Sequence, residues 1–228
     1  MHGTIAEFLY DAVHDRIINS DRPVGFLLSG GLDSSIVCAM GAVLSRPEPV
    51  CTFSVGLKDS LDLCFARQVA EHIGSVHSEL IVTENDLIQA IPSVIAALGT
   101  DDTTTVRASL GNYLLGKHIR ETTDIKVVLN GDGSDELFGG YKYMYACPNC
   151  FEFDKEVRRL LDNIHLFDVR RSDACMAAHG LEARTPFLDK RLVQYVLQIP
   201  AEFRDHNRRN RREKYLLRKS IEIGRAHV

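Results

Sequence analysis

The string that most constrains this chain is Val24-Gly25-Phe26-Leu27-Leu28, followed at once by Ser29-Gly30-Gly31-Leu32-Asp33-Ser34. Five consecutive residues without a polar side chain read as a strand covered on both faces, which belongs in a parallel sheet packed under helices. The paired glycines let the backbone curl so that several N–H groups point into one concavity. Helical periodicity begins at Ser34, so the loop opens a helix, and a helix N-terminus favours an anion. Ser29 and Ser34 add hydroxyl donors. The string reads as a phosphate cradle. It is not of the Walker type, because no Gly-Lys-Ser/Thr closes it. Asp33 is out of place beside phosphates unless a cation intervenes, and Mg2+ would reconcile the two.

The rest of the chain supports that reading. Apolar spacing predicts a helix over Ile5 to Ile18, then strands over Val24–Leu28, Val50–Val55, Val76–Val82 and Ile125–Leu129. Helices are expected between them, over Ser34–Leu44, Leu61–Ile73, Asp86–Leu98 (with Pro92 kinking it or in its first turn) and Ala108–Arg120. Beyond Cys150 the pattern is helical almost throughout. Strand alternating with helix means an α/β fold, a parallel sheet flanked by helices, with a helical C-terminal part. In such sheets ligands bind beyond the carboxyl ends of the strands. Two strands end in glycine-rich loops bearing hydroxyls and carboxylates, residues 29–34 and 130–136, and both are expected to face one crevice.

Composition excludes several classes. The chain has 228 residues, with Lys+Arg 27 against Asp+Glu 31, a net charge of -4 and no Trp. A nucleic-acid partner is not expected from that balance. No apolar run reaches the ~20 residues of a membrane span. The N-terminus has no signal-peptide pattern, so the expected location is the cytoplasm. Six scattered cysteines give no disulfide framework, and Cys147-Pro148-Asn149-Cys150 has no second pair with which to bind zinc.

Four further strings carry chemistry. Gly131-Asp132-Gly133-Ser134-Asp135-Glu136 puts three carboxylates at a strand end, suited to metal binding or proton transfer. Asp102-Thr103-Thr104-Thr105-Val106-Arg107 offers hydroxyls and an arginine fork for a small acid, or simply a helix cap. Gly180 to Asp189 mixes charges with apolar residues between two helices, as a buried ion pair or a substrate contact. The one charge run is Arg204 to Lys214, and within it Arg208 to Lys214 is either a basic helix face or a lysine reaching phosphate. Gly111 to His118 is nearly a Walker string, but it ends in His and lies inside a helical pattern, so it is not read as a nucleotide loop.

Taken in order, these strings resemble the synthetase domain of the glutamine-dependent asparagine synthetases. The resemblance rests on Phe26–Ser35, Phe53–Leu57, Thr104–Ser109, Gly131–Tyr141 and Leu181–Lys190, and covers about residues 5 to 221. It implies an adenine nucleotide alpha-hydrolase-like, Rossmann-like sheet. It implies ATP and Mg2+ as cofactors, and aspartate, ATP and ammonia as reactants, with β-aspartyl-AMP between the two steps. By that resemblance Leu27, Val55 and Gly131 border the adenosine, and Ser29, Gly30, Gly31 and Ser34 cradle pyrophosphate. Asp33 and Asp135 hold magnesium. Thr104, Thr105 and Arg107 lie near aspartate, and Lys214 stabilises the transferring phosphate. Asp132 stands where many members have Glu, the proton acceptor from ammonia. Arg184 and Asp189 support the site.

In that family glutamine is hydrolysed by an N-terminal domain that begins with cysteine after Met removal. Here His2 follows Met1, so that glutaminase domain is expected to be missing from this chain. Residues 1–221 are expected to form one incomplete synthetase domain. Glu222 to Val228 is expected to be a non-native tail, because its codons can spell the start of a common sequencing-library adapter. Two alternatives remain open: a related ATP-dependent amide former such as a β-lactam synthetase, and a non-catalytic nucleotide-binding module.

Overall fold

The computed structural model describes residues 2–207 and 211–224. The chain divides into two compact units. A sheet unit comprises Val13–Gly131 and Phe167–Arg184, and a helical unit comprises Met1–Ala12, Asp132–Leu166 and Thr185–Val228. Helix α1 (His2–Ile18) contributes to both.

The sheet unit holds five strands: β1 (Val24–Leu27), β2 (Cys51–Leu57), β3 (Val76–Val82), β4 (Val127–Leu129) and β5 (Glu182–Arg184). Their order is β3-β2-β1-β4-β5, and every pairing is parallel. The chain winds outward from β1 to β3, then returns to place β4 on the other side of β1. The winding reverses between β1 and β4, the position at which open α/β sheets bind ligands. Register pairs Phe26 with both Thr52 and Leu129, so β4 ends one residue before β1.

Helices α2 (Leu32–Leu44), α3 (Leu61–Ile73), α4 (Glu84–Leu98), α5 (Thr103–Thr122) and α8 (Asp168–Ala177) complete this unit. Their starts follow from local chemistry. Ser60 caps α3 by accepting from Leu63 N–H. Thr83 and Asp86 form a reciprocal capping box on α4, which carries Pro92 in its interior rather than its first turn. Asp102 caps α5 by accepting from Thr105 N–H at 2.8 Å, so this helix begins five residues before the periodicity placed it. Phe53, Leu115, Ile119, Ile125, Val128, Met176 and Leu181 form one buried cluster, and α4, α5 and α8 share a second around Val94 and Val106.

The strand β5 departs from the sequence reading, which placed residues 180–189 between two helices. It is three residues long, with Glu182 exposed and Ala183 and Arg184 half-buried, so no alternation announces it. It forms because Glu182 N–H donates to the Lys126 carbonyl and Asn130 N–H to the Arg184 carbonyl.

The helical unit contains α6 (Ser134–Phe138), α7 (Cys150–Asn163), α9 (Lys190–Gln198), α10 (Ala201–Arg204) and α11 (Tyr215–Gly224). Asn149 caps α7, and Asp189 caps α9 by accepting from Arg191 N–H. Of the expected tail, Glu222 to Gly224 continue α11, while residues 225–228 lie outside the described residues. All six cysteines are free thiols. Among the described residues no helix is long and apolar enough to cross a membrane.

Candidate active site

β1 ends at Leu27, and the cradle follows. Leu28 N–H donates to the Phe53 carbonyl at 2.8 Å, which keeps the chain on the sheet for one further residue. Gly30 then turns with φ 79°, and a Cβ there would lie 2.6 Å from Ala66 N. Only glycine lets α3 approach so closely. Gly31 is the N-cap of α2 and brings no side chain of its own to cap the first turn of this helix.

The two serines are wired together. Ser34 Oγ accepts from Ser29 N–H at 3.2 Å, lies 2.9 Å from Ser29 Oγ and donates to the Gly31 carbonyl at 3.2 Å. Ser29 Oγ in turn accepts from Gly31 N–H at 3.3 Å. Ser35 Oγ donates to the same Gly31 carbonyl at 2.6 Å. The N–H contacts are long and neutral. An anion oxygen offers a shorter, charge-assisted bond, so these donors are held in position without being strongly committed.

The loop after β4 reaches this cradle through Gly131. A Cβ at 131 would lie 2.8 Å from Ser34 N and 2.9 Å from Asp33 Cβ. Of the residues expected around the adenosine, Leu27 ends β1, Val55 lies in β2 and Gly131 follows β4, three adjacent strands. Leu27 and Val55 pack half-buried on the Phe53 cluster. Asp33 stands in the first turn of α2.

Thr104, Thr105 and Arg107 occupy the first two turns of α5, not a turn before it. Thr104 and Arg107 are exposed, and Thr105 is half-buried. One turn beyond Arg107, a Cβ at Gly111 would touch Val55 Cγ1 at 3.4 Å, which sets the start of α5 beside β2. The near-Walker string lies wholly within α5.

Arg184 is not a buried ion pair. Its Nε meets the exposed Glu182 at 2.7 Å, and its Nη1 donates to the Arg16 and Asn19 carbonyls. It ties β5 to the end of α1. Asp189 faces its own neighbour, with Arg191 Nε at 3.1 Å, while capping α9. Both side chains have local structural partners.

In the helical unit, Lys214 Nζ lies 2.8 Å from Asp135 Oδ1, with side-chain exposures of 7% and 37%. Lys214 has φ 55°, in the left-handed region. It is a buried residue just before α11 rather than part of a basic helix face, and Arg208 to Asn210 of that run lie outside the described residues. Glu136 is 1% exposed and accepts from the Tyr141 hydroxyl at 2.5 Å. Burial pushes its carboxyl above the usual range. Of the three carboxylates in the second loop, Glu136 is thus spent on structure, and Asp132 and Asp135 are half-buried.

Among the described residues no three or more His, Cys, Asp or Glu side chains are grouped to hold a metal ion. Asp33 and Asp135 each stand in the first turn of a helix. Single carboxylates suit Mg2+, which takes one or two from protein and completes its octahedron with phosphate oxygens and water.

The sequence reading passed over one cluster. Thr52 and Ser54 of β2 are buried, and both lie within hydrogen-bond reach of His77 on β3. The signal was present as Cys51-Thr52-Phe53-Ser54-Val55, an alternation of polar with apolar residues that a strand buried on both faces does not need.

An open parallel sheet with a glycine-rich loop and a helix start at its switch point places this chain among the α/β proteins whose ligands bind at that position. More narrowly, it belongs to the asparagine synthase family, whose model matches residues 4–156 and 151–223. It is 49% identical over 216 residues to the glutamine-hydrolysing asparagine synthetase of Gallus gallus and 48% identical to that of Homo sapiens. Each match covers 93% of this chain and 38% of the relative, so the chain spans well under half of those proteins. Among solved structures it is similar to the NH3-dependent NAD synthetase from Campylobacter jejuni subsp. jejuni NCTC 11168, at 16% identity over 89% of this chain and 94% of that one, with a TM-score of 0.44.

Proposed function

We propose that this chain carries the ATP-using half of an asparagine synthetase. The aspartate side-chain carboxylate attacks the α-phosphorus of ATP, forming an acyl–phosphate bond and releasing pyrophosphate. Ammonia, drawn from glutamine by a separate domain, then attacks the acyl carbon. The amide forms, AMP leaves with the bridging oxygen, and Asp132 takes the proton from nitrogen. The observation that carries this reading is the cradle: backbone N–H groups and the joined hydroxyls of Ser29 and Ser34, at the head of a helix with no side-chain cap. Neutral donors without a P-loop lysine suit a phosphate group that must leave.

The other roles follow the family resemblance. Leu27, Val55 and Gly131 border the adenosine, and Gly30 and Gly31 shape the cradle. Thr104, Thr105 and Arg107 hold the aspartate, with the guanidinium forking a carboxylate. Lys214 meets charge developing on the transferring phosphate. Asp33 and Asp135 would hold Mg2+, which when bound neutralises phosphate charge. Arg184 and Asp189 act only through the elements they fasten. The place of work is the cytoplasm.

Aspartate-dependent exchange of labelled pyrophosphate into ATP, measured on the gene product that carries this chain, tests the proposal. Exchange that requires aspartate is the expected result. Exchange with a different carboxylic acid would reassign the acceptor, and ATP binding with no exchange would leave only a nucleotide-binding module.

A further inference from the structure

The buried polar cluster on the sheet converges on one atom of the cradle. Ser54 Oγ donates to the Leu28 carbonyl at 2.5 Å. A carbonyl only accepts, so this bond uses the serine's one proton. Ser54 Oγ must therefore accept from His77 Nε2, 3.3 Å away, and Nε2 carries hydrogen. Glu79 Oε1, 3.5 Å from the same nitrogen, favours the proton there. Nδ1 of the neutral ring is then an acceptor. Thr52 Oγ1 donates to it at 2.8 Å, and Ser75 Oγ, 2.8 Å from Thr52 Oγ1, shares its one proton between that oxygen and the Ala70 carbonyl at 3.4 Å. The protons on Ser54 and His77 thus follow from the Leu28 carbonyl.

Two further facts tie this relay to the loop. Leu28 is the last residue before the cradle, and its carbonyl fixes the peptide plane that delivers Ser29 N–H to Ser34. Arg67 on α3 grips Glu79 at 3.0 and 2.8 Å, one residue from Ala66, whose backbone stands against Gly30. The cradle is thus held at its entrance by β2 and β3 and from its side by α3, and His77 with Glu79 joins the two supports. Stability alone does not call for this arrangement, since apolar side chains at Thr52 and Ser54 would fill a doubly covered sheet at lower cost.

Resting on the reading of residues 29–34 as a pyrophosphate cradle, we propose that His77 is a positioning residue for that cradle, acting through Ser54 and the Leu28 carbonyl. It touches no substrate. It sets where the first donor of the loop stands.

Two substitutions separate the ring nitrogens. His77→Gln keeps an N–H at the Nε2 position, and His77→Asn keeps only an acceptor near Nδ1. Full-length protein is assayed for aspartate-dependent pyrophosphate exchange, for ATP affinity by calorimetry in Mg2+, and for thermal midpoint. His77→Asn is expected to raise KM and Kd for ATP about tenfold, the worth of one well-placed hydrogen bond, with kcat within about twofold. His77→Gln restores most of that loss. Ser54→Ala reproduces His77→Asn, and the double variant is no worse than either single one. Equal losses in Gln and Asn that track the folded fraction, or additive losses in the double variant, overturn the proposal. Wild-type protein that binds ATP but exchanges nothing with aspartate would sink the proposed reaction, while the ATP affinities still decide on His77. Wild-type protein that binds no ATP would overturn both.

Discussion

The cradle after β1 and the Asp135–Lys214 pair carry charge in opposite ways. The cradle is built from backbone N–H groups and serine hydroxyls, with N–H contacts of 3.2–3.3 Å. The pair in the helical unit joins a buried ammonium to a carboxylate at 2.8 Å. An anion entering the cradle trades weak neutral bonds for stronger ones. A ligand engaging Asp135 or Lys214 must compete with the partner already there. On the proposed reading the cradle is preorganised for binding, whereas the ion pair is a charge store whose release depends on what replaces it.

Substitutions can break this contrast. The largest effect is expected from Asp33→Ala, which removes the one carboxylate in the cradle. Pyrophosphate exchange should fall by roughly 10³-fold or more while the fold survives, because the side chain is half-buried in the first turn of α2. Exchange at the wild-type rate would remove Asp33 from the metal site and leave the cradle wholly neutral.

Lys214→Ala comes next, with a loss of about 10²–10³ in kcat and little change in ATP affinity. A loss confined to KM would mean that this lysine merely binds and that the two regions work alike. Gly30→Ala probes shape instead of charge. A Cβ 2.6 Å from Ala66 N, on a backbone at φ 79°, should lower stability by about 2–3 kcal/mol in denaturant titration. An unchanged midpoint would show that α3 yields and the cradle is soft.

The smallest effect is one of pH. Burial holds the His77 imidazole below its ordinary 6.5. The folded protein then binds fewer protons there than the unfolded chain. The associated stability is complete above 6.5 and is lost as pH falls toward the lowered folded value. The urea midpoint should be lower at about pH 5.5 than at about pH 7.5, and His77→Gln should shrink that difference. His179, depressed by burial in the same direction, keeps it from vanishing.

The same contrast explains what could be read from the sequence. The cradle was legible because its parts are contiguous: a run without polar side chains, two glycines, two serines and a helix start. Leu61–Ile73 and Val76–Val82 were bounded correctly: Ser60 caps the helix, Gly74 in the left-handed region ends it, and the strand begins two residues later. The strand at Glu182–Arg184 was hidden, because three residues at a sheet edge form by borrowing carbonyls and N–H groups from distant chain. Pairing of Asp135 with Lys214 was equally invisible, since nothing local marks a contact between residues so far apart in sequence. The threonines at 103–105 misled in a milder way: Asp102 takes the cap, so they begin the helix instead of preceding it. His77 went unread because a lone histidine in a strand acquires meaning only from its cross-strand neighbours.

The left-handed backbone at Lys214 has a consequence for selection. A lysine at φ 55° is strained by about 1 kcal/mol or more relative to glycine, and it also buries an ammonium. A library enriched only for heat tolerance should drift at this position toward glycine or asparagine, losing the amine with the strain. A library enriched for growth without asparagine should keep lysine and find its stabilising changes elsewhere. Sequencing both pools would show a single codon at which robustness and chemistry are opposed.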